Sequence, residues 1–222
     1  MSFVVHMFRE FDEKLYLTLG RDVPEPRKTS VKELSGPPPR MACLAPHESQ
    51  PLWSRRLSTS ISEINAVPRA EFVRIAGPVF EHSPWIAERA ATARPFASVA
   101  ALHAAMCGIV ESAAIEEQFG LIRAHPDLVG RAVLTAESQG EQAAAGLSEL
   151  SPAEVALFDR YNREYQARFG FPFVICARLN KKDAILAAFP VRLKNSAAAE
   201  RATALAEIYK IAQLRLADLV SP

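Results

Sequence analysis

Three groups of residues in this 222-residue chain are of types that can move or hold a proton. The first is Ala124-His125-Pro126-Asp127-Leu128. Imidazole has an unperturbed pKa of about 6.5, close to neutrality, which makes His125 the candidate acid or base. A lone histidine near a helix end can equally be a structural hydrogen-bonder or a favourable charge at the C-terminal end of the helix dipole. The second group is Ser138-Gln139-Gly140-Glu141-Gln142, in which Ser138, Glu141 and Gln142 stand at i, i+3 and i+4 and would share one helix face. Ser-x-x-Glu is also a capping box, and on spacing alone a helix beginning at Ser138 is the stronger reading. Thr135 is the alternative cap, and it would free Glu141 and Gln142 to face a pocket. The third is Arg215, which with Ile208 and Ile211 falls on a stripe expected to be apolar. It either snorkels to solvent along its stem or meets a carboxylate, because an unpaired buried charge is costly. A substrate carboxylate is one such partner, and the planar guanidinium suits bidentate recognition.

Other chemistries lack their residues. The chain has no HExxH, no GxGxxG after a strand, no Walker loop and no GxSxG elbow. His125 and Asp127 would need a third metal ligand that the sequence does not place, so no metal site is expected. His82, in Phe80-Glu81-His82-Ser83-Pro84-Trp85, reads as structural.

The elements that must position these groups read as helices. Ser62 is the expected cap of a short segment through Ala66, and Pro68-Arg69-Ala70-Glu71 opens the next, with proline at an early helical position. One long apolar-periodic segment spans Val99 to Ala124, with Leu102, Met106, Ile109 and Val110 near helical spacing. Pro126 interrupts it, since the residue before a proline is pushed away from helical geometry, and His125 is therefore expected at a helix break. Ser151-Pro152-Ala153-Glu154 starts a helix that should run to Phe169 and stop at Gly170. Phe171 to Ala177, apolar and containing Pro172, is expected to be an extended buried connection. Asn180 is the expected cap of a helix to about Leu193, and Ser196 starts the last one. The fold class is all-α, with helix packed on helix.

Composition narrows the partners. Hydrophobic residues make up 49% of the chain, charged residues 23%, and the formal net charge is +1, which argues against nucleic acid as a ligand. The odd, widely spaced cysteines Cys43, Cys107 and Cys176 argue against a disulfide framework and fit a reducing compartment. No apolar run approaches the roughly 20 residues that cross a bilayer, and Arg9, Glu10, Asp12 and Glu13 stand where a signal peptide would be apolar. A cytoplasmic enzyme with a small-molecule substrate and no membrane contact is the simplest reading. Residues 1–59 are Pro-rich and charge-mixed, with Gly36-Pro37-Pro38-Pro39-Arg40 unable to sit inside a helix. They are expected to form a poorly packed extension, with Met7 and Met41 as other possible starts, ahead of one helical domain over residues 60–222.

Taken in chain order, Phe80 to Trp85, Ala124 to Leu128, Leu134 to Ser138, Glu141-Gln142 and Phe169 to Ala177 resemble the 2-oxo-4-hydroxy-4-carboxy-5-ureidoimidazoline (OHCU) decarboxylase family. The likeness covers about residues 61–222. It implies an all-α fold, usually a homodimer, no metal or organic cofactor, and formation of S-allantoin in urate breakdown. By matching motif, His125 resembles the family's proton donor, with Pro126 beside it. Ser138, Gln139, Gly140, Glu141 and Gln142 would hold the substrate by hydrogen bonds. Glu141 would either set the protonation of His125 or bind the substrate hydroxyl. Phe173, Val174, Ile175, Cys176 and Ala177 would supply main-chain contacts, and Arg215 matches a family arginine. Residues 1–59 have no counterpart in that family. The competing reading is a helical dimer that binds a small ureide or purine without turning it over.

Overall fold

The computed structural model describes residues 59–130 and 134–222. Expectations about the segment before residue 59 lie outside the described residues. Within them the chain is all-α, as its periodicity requires. The helices are α1 (Ile61–Ala66), α2 (Arg69–Ala76), α3 (Pro84–Ala90), α4 (Val99–Glu111), α5 (Ile115–Arg123), α6 (Ala136–Ala144), α7 (Pro152–Phe169), α8 (Lys182–Arg192) and α9 (Ala197–Leu219). A parallel pairing of β1 (Thr59–Ser60) with β2 (Val220–Ser221) ties the start of α1 to the end of α9.

Several boundaries follow the local signals. Ser151 and Glu154 form a reciprocal capping box at the start of α7, and Gly170 ends that helix in the left-handed region at φ 73°, a conformation glycine adopts without a Cβ penalty. Ser196 caps α9 by accepting from the Ala199 N–H.

Other boundaries differ from the expectation. The cap of α1 is Ser60, not Ser62: the Ser60 hydroxyl accepts from the Glu63 N–H at 3.2 Å, and Glu63 accepts from the Ser60 N–H at 2.8 Å. Pro68 is the cap of α2 and stands just outside the helix. The segment from Val99 to Ala124 is two helices whose axes bend by 116°. The buried Gln118 explains how the break is tolerated. Its amide donates to the carbonyls of Val110, Glu111 and Ala113, in the turn where the ladder of α4 runs out. Asn180 does not cap α8, whose cap is Lys181; its side chain donates back to the Cys176 carbonyl at 2.9 Å and closes the turn before the helix.

Helix α9 is the spine, packing against α2, α4 and α5. Its inner face buries Ala204, Ile208, Ile211, Ala212 and Leu216, with Arg215 on the same stripe. Beside it an aromatic cluster forms from Tyr165 of α7, Phe189 of α8, and Phe171 and Phe173 of the connection between them. The Phe173 and Phe189 rings stack with centroids 3.8 Å apart. That cluster pins the extended segment from Pro172 to Cys176 against the core, where every residue is buried, as its apolar composition predicts.

Candidate active site

The site is built on the turn after α5. Pro126 stops the helix, Ala124 occupies its C-terminal cap, and the His125 N–H donates to the Ile122 carbonyl at 3.2 Å. The imidazole folds inward and is 8% exposed. Its Nδ1 lies 3.0 Å from the Leu121 carbonyl. A carbonyl can only accept, so Nδ1 carries the hydrogen of the neutral ring and Nε2 presents a lone pair. That Nε2 has no partner among the described residues. Burial lowers the His125 pKa to about 4. The Leu121 carbonyl and the Glu81 charge pull it back up, and Arg215 and His82 push it further down. The ring is therefore neutral at physiological pH.

The turn is held under strain. Val129 adopts φ 59°, a region β-branched residues rarely enter, and such conformations persist only where surrounding contacts impose them. Here the Val129 N–H donates to Gln142 Oε1 at 3.1 Å, and Asn162 donates to the Leu128 carbonyl at 2.8 Å. Gln142 thus anchors the His125 turn to α6, with its side-chain oxygen already engaged. Asp127 faces away and accepts from Gln166.

Helix α6 begins one turn earlier than the Ser138 capping reading required. Thr135 is the cap, accepting from the Ser138 N–H at 3.2 Å. Ser138 is inside the helix, and its hydroxyl, with Glu141 and Gln142, points to the same side as His125. Gln139 and Gly140 lie on the opposite, exposed face, a consequence of the roughly 100° step per residue. They do not line the pocket that holds His125.

Arg215 reaches this cluster from α9 and resolves the two readings of its stripe in favour of carboxylate partners. All five of its N–H groups are engaged. Nε and Nη2 donate to the two oxygens of Glu141, both at 2.8 Å, and Nη1 donates to Glu81 Oε2 at 2.7 Å. The remaining two meet Ser138 Oγ at 3.2 Å and the Pro78 carbonyl at 3.5 Å. Burial opposes the charge on Arg215, but Glu141 and Glu81 hold its pKa above the ordinary value. In this state no N–H of Arg215 is left for a substrate carboxylate.

Glu81 is the residue that reading the sequence missed, although it lies next to His82 in a segment that was singled out. Its carboxylate is 1% exposed, accepts from Arg215 and from the Ser138 hydroxyl, and leaves Oε1 without a partner among the described residues. Burial pushes the Glu81 carboxyl up, but Arg215 outweighs it, with smaller help from Thr135 and His125, and the pKa ends below the usual range. The signal that could have found it is chemical: a buried arginine demands acidic neighbours, and a second carboxylate is needed to use both edges of the guanidinium. His82 is largely exposed, with its ring nitrogen 3.9 Å from Glu81 Oε1 and its backbone at φ 44°.

The far wall is the extended segment. Phe173, Val174, Ile175 and Ala177 border the pocket with Leu128, Pro126 and Ile211. Cys176 is buried behind it, its N–H donating to Glu207 at 2.8 Å, and burial raises its thiol pKa, which leaves a poor nucleophile. Arg192 fixes the segment by donating to the Val174 carbonyl at 2.6 Å while stacking over Phe173, and it is paired with the buried Glu200, which also accepts from Tyr165. Among the described residues, the N–H groups of Ile175 and Ala177 make no hydrogen bond. They are the main-chain donors an extended wall can offer a ligand.

An all-helical domain in which a neutral imidazole, a carboxylate and an arginine line one small recess with an apolar wall, and a second carboxylate is bonded to that arginine, defines a site for acid–base work on a small polar molecule. Comparison with known proteins narrows this further. A family model described as OHCU decarboxylase matches residues 65–217, and the chain belongs to the OHCU decarboxylase family. It is 45% identical over 162 residues to the 2-oxo-4-hydroxy-4-carboxy-5-ureidoimidazoline decarboxylase of Haloferax volcanii, covering 73% of this chain and 96% of that one. It is 44% identical over 162 residues to the enzyme of the same name from Amia calva, covering 71% and 93%. Among solved structures, the crystal structure of (S)-allantoin synthase is similar with a TM-score of 0.60 at 27% identity, covering 73% of this chain and 54% of that one. An OHCU decarboxylase crystallised in the presence of (S)-allantoin shares the fold, with a TM-score of 0.53.

Proposed function

We propose that this protein decarboxylates OHCU to S-allantoin, using only its own side chains and main chain, with His125 as the proton carrier. The observation that carries the reading is the buried His125 ring, its unpartnered Nε2 in the same pocket as Glu141, Ser138 and the extended wall. In OHCU the carbon that bears the carboxylate adjoins a ring C=N. When the bond to the carboxylate breaks, carbon dioxide leaves and the electron pair flows into that imine, so the substrate brings its own electron sink. The protein must orient the carboxylate out of the ring plane, stabilise the enol-like charge and deliver one proton to one face.

The arrangement suits those tasks. The free N–H groups of the wall, at Ile175 and Ala177, are donors for the ring and ureido carbonyls. Glu141, locked by Arg215, is an acceptor for a hydroxyl or N–H of the substrate. Leu128, Phe173 and Ile211 make an apolar surround that favours neutral carbon dioxide over the carboxylate it came from. Pro126 keeps the imidazole at the turn, and Cys176 holds the wall through its N–H to Glu207. General acid–base help from one positioned imidazole is typically worth about a hundred- to ten-thousand-fold.

We also propose that the protein is a homodimer in the cytoplasm, with residues 60–222 as the catalytic domain and residues 1–59 as an extension to it. The family resemblance supports the dimer, and Cys107 and Cys176, both free thiols, fit a reducing compartment. OHCU generated from urate by urate oxidase and hydroxyisourate hydrolase tests the activity, with circular dichroism following the appearance of S-allantoin. The expected result is a chiral signal that grows faster with the protein than without it, and a His125→Asn variant at least about a hundred-fold slower. A variant that keeps the rate would move the proton transfer to another group, and a wild-type protein that gives no acceleration would leave it a ureide-binding module.

A further inference from the structure

Two buried polar atoms in this cluster lack a hydrogen-bond partner among the described residues: His125 Nε2 and Glu81 Oε1. Roughly nine in ten buried polar groups are paired, so two orphans in one site point to a function that completes them. The charges are also unevenly paired. Glu81 and Glu141 both pair with Arg215, and Arg178, already paired with Asp218, adds its charge on the Glu141 side only. Glu141 gives both oxygens to Arg215, whereas Glu81 gives only Oε2. The less completely paired carboxylate is therefore Glu81, whose Oε1 has only the His82 ring nitrogen, 3.9 Å away, near it among the described charged groups.

The reaction needs that charge. Loss of carbon dioxide from a carboxylate leaves an electron pair on the ring, and one proton must be added at carbon to complete the product. In the free protein His125 carries its hydrogen on Nδ1, tied to the Leu121 carbonyl, and has none on Nε2 to give. The charged or titratable groups facing the ring are Glu81, His82 and Arg215, with Glu141 across the pocket. Arg215 and a protonated His82 oppose a second proton on the imidazole, and Glu81 favours it. An incoming substrate carboxylate adds a further negative charge, and Nε2 is the basic position where a balancing proton can settle.

We propose that Glu81 is a positioning residue for the proton-transfer step: its free carboxylate oxygen, buried in the His125 cluster, holds the proton that His125 Nε2 takes up with the anionic substrate and delivers to carbon. The inference rests on His125 being the donor. Glu81 also keeps Ser138 and Arg215 in place, so a drop in rate alone would not separate the proton role from a structural one. The separating measurement is the pH profile of kcat for Glu81→Gln, Glu81→Asp and His125→Asn, with OHCU formed beforehand and S-allantoin followed by circular dichroism.

Glu81→Gln is expected to lose about tenfold or more in kcat at neutral pH, with a smaller change in KM. It should regain rate as the pH falls, by up to about tenfold per pH unit, because acid replaces the proton that the charge no longer holds. Glu81→Asp keeps the charge and is expected to keep the wild-type profile. A Glu81→Gln enzyme with the wild-type profile, or with a loss that acid does not recover, overturns the assignment. Should Glu81→Gln fail to fold, an acid-shifted profile for Glu81→Asp overturns it instead. An active His125→Asn enzyme would remove the donor reading, whereas an inactive His125→Asn beside a wild-type-like Glu81→Gln would remove the Glu81 role alone.

Discussion

Replacing Arg215 by Met isolates what the buried cluster contributes to stability. The arginine side chain is 5% exposed, between a Glu81 carboxylate that is 1% exposed and a Glu141 carboxylate that is 13% exposed. Methionine keeps much of the apolar stem and removes all five donors, leaving two carboxylates without a counter-charge. Removing one partner of a buried ion pair typically costs about 3–5 kcal/mol. Glu141 stands nearer the opening and recovers some hydration, but Glu81 does not, so the expected loss is about 4 kcal/mol at neutral pH. For a domain of this size, that lowers Tm by about 10 °C.

The pH dependence of that loss has a definite sign. In the wild type the Glu81 pKa is depressed, so its contribution is complete above the ordinary carboxylate value and is lost as the pH falls through the folded one. Without Arg215, burial, the largest influence on Glu81, outweighs the smaller help from Thr135 and His125 and raises the Glu81 pKa above its unfolded value. The gap between variant and wild type should then narrow as the solution is acidified from neutrality. Urea unfolding followed by circular dichroism, at neutral and mildly acidic pH, measures both effects. The triple variant Arg215→Met, Glu81→Gln, Glu141→Gln removes the charges together and is expected to recover much of the lost stability. A loss below about 1 kcal/mol, the size of an exposed pair, or a gap that widens in acid, would refute the picture of a desolvated cluster.

His125 should make the fold acid-sensitive before the carboxylates do. Its folded pKa of about 4 lies below the unfolded reference of 6.5, so the unfolded chain takes up the proton first, and stability that is complete above the unfolded value falls away between the two. The gap corresponds to at most about 3 kcal/mol, and in urea titrations across that window His125→Gln should show less of this slope; an unchanged slope would place the sensitivity elsewhere. Thr135→Ala removes the cap of α6 and should cost about 1 kcal/mol. It should also slow the reaction, because Ser138 and Glu141 sit in the first turns of that helix. Thermal melts and the allantoin assay on the same sample check both parts, and a variant with native melting and rate would show that α6 holds its start without the cap.

How much of this was legible in the chain depends on the range of the forces concerned. Ser151 with Glu154, Gly170, Ser196 and Pro126 each act within a turn of backbone, and each marks a boundary in the structure. The buried extended wall was legible too, because an apolar run broken by Pro172 has few other places to go. The choice between Thr135 and Ser138 as a cap was not. Serine is the better cap by type, and what decides against it is that the Ser138 hydroxyl is taken by Glu81 and Arg215, residues far away in the chain. The break after Glu111 depended on Gln118 folding back over the carbonyls of the turn after α4, which periodicity does not record.

The chain alone therefore determined the helical class, the position of the histidine at a proline-broken helix end, and the presence of an arginine on a stripe where it needed a counter-charge. Tertiary structure decided what that arginine meets. Glu81 and Arg215 are 134 positions apart, and Glu141 and Arg215 are 74 apart, distances over which no local pattern can fix a pairing. Arg215, reaching from α9 to α6 and to the turn before α3, brings two carboxylates to one guanidinium and leaves the imidazole neutral among them. The residue types were written in the sequence, but their charges and protonation states are properties of a desolvated neighbourhood that exists only once the helices have packed.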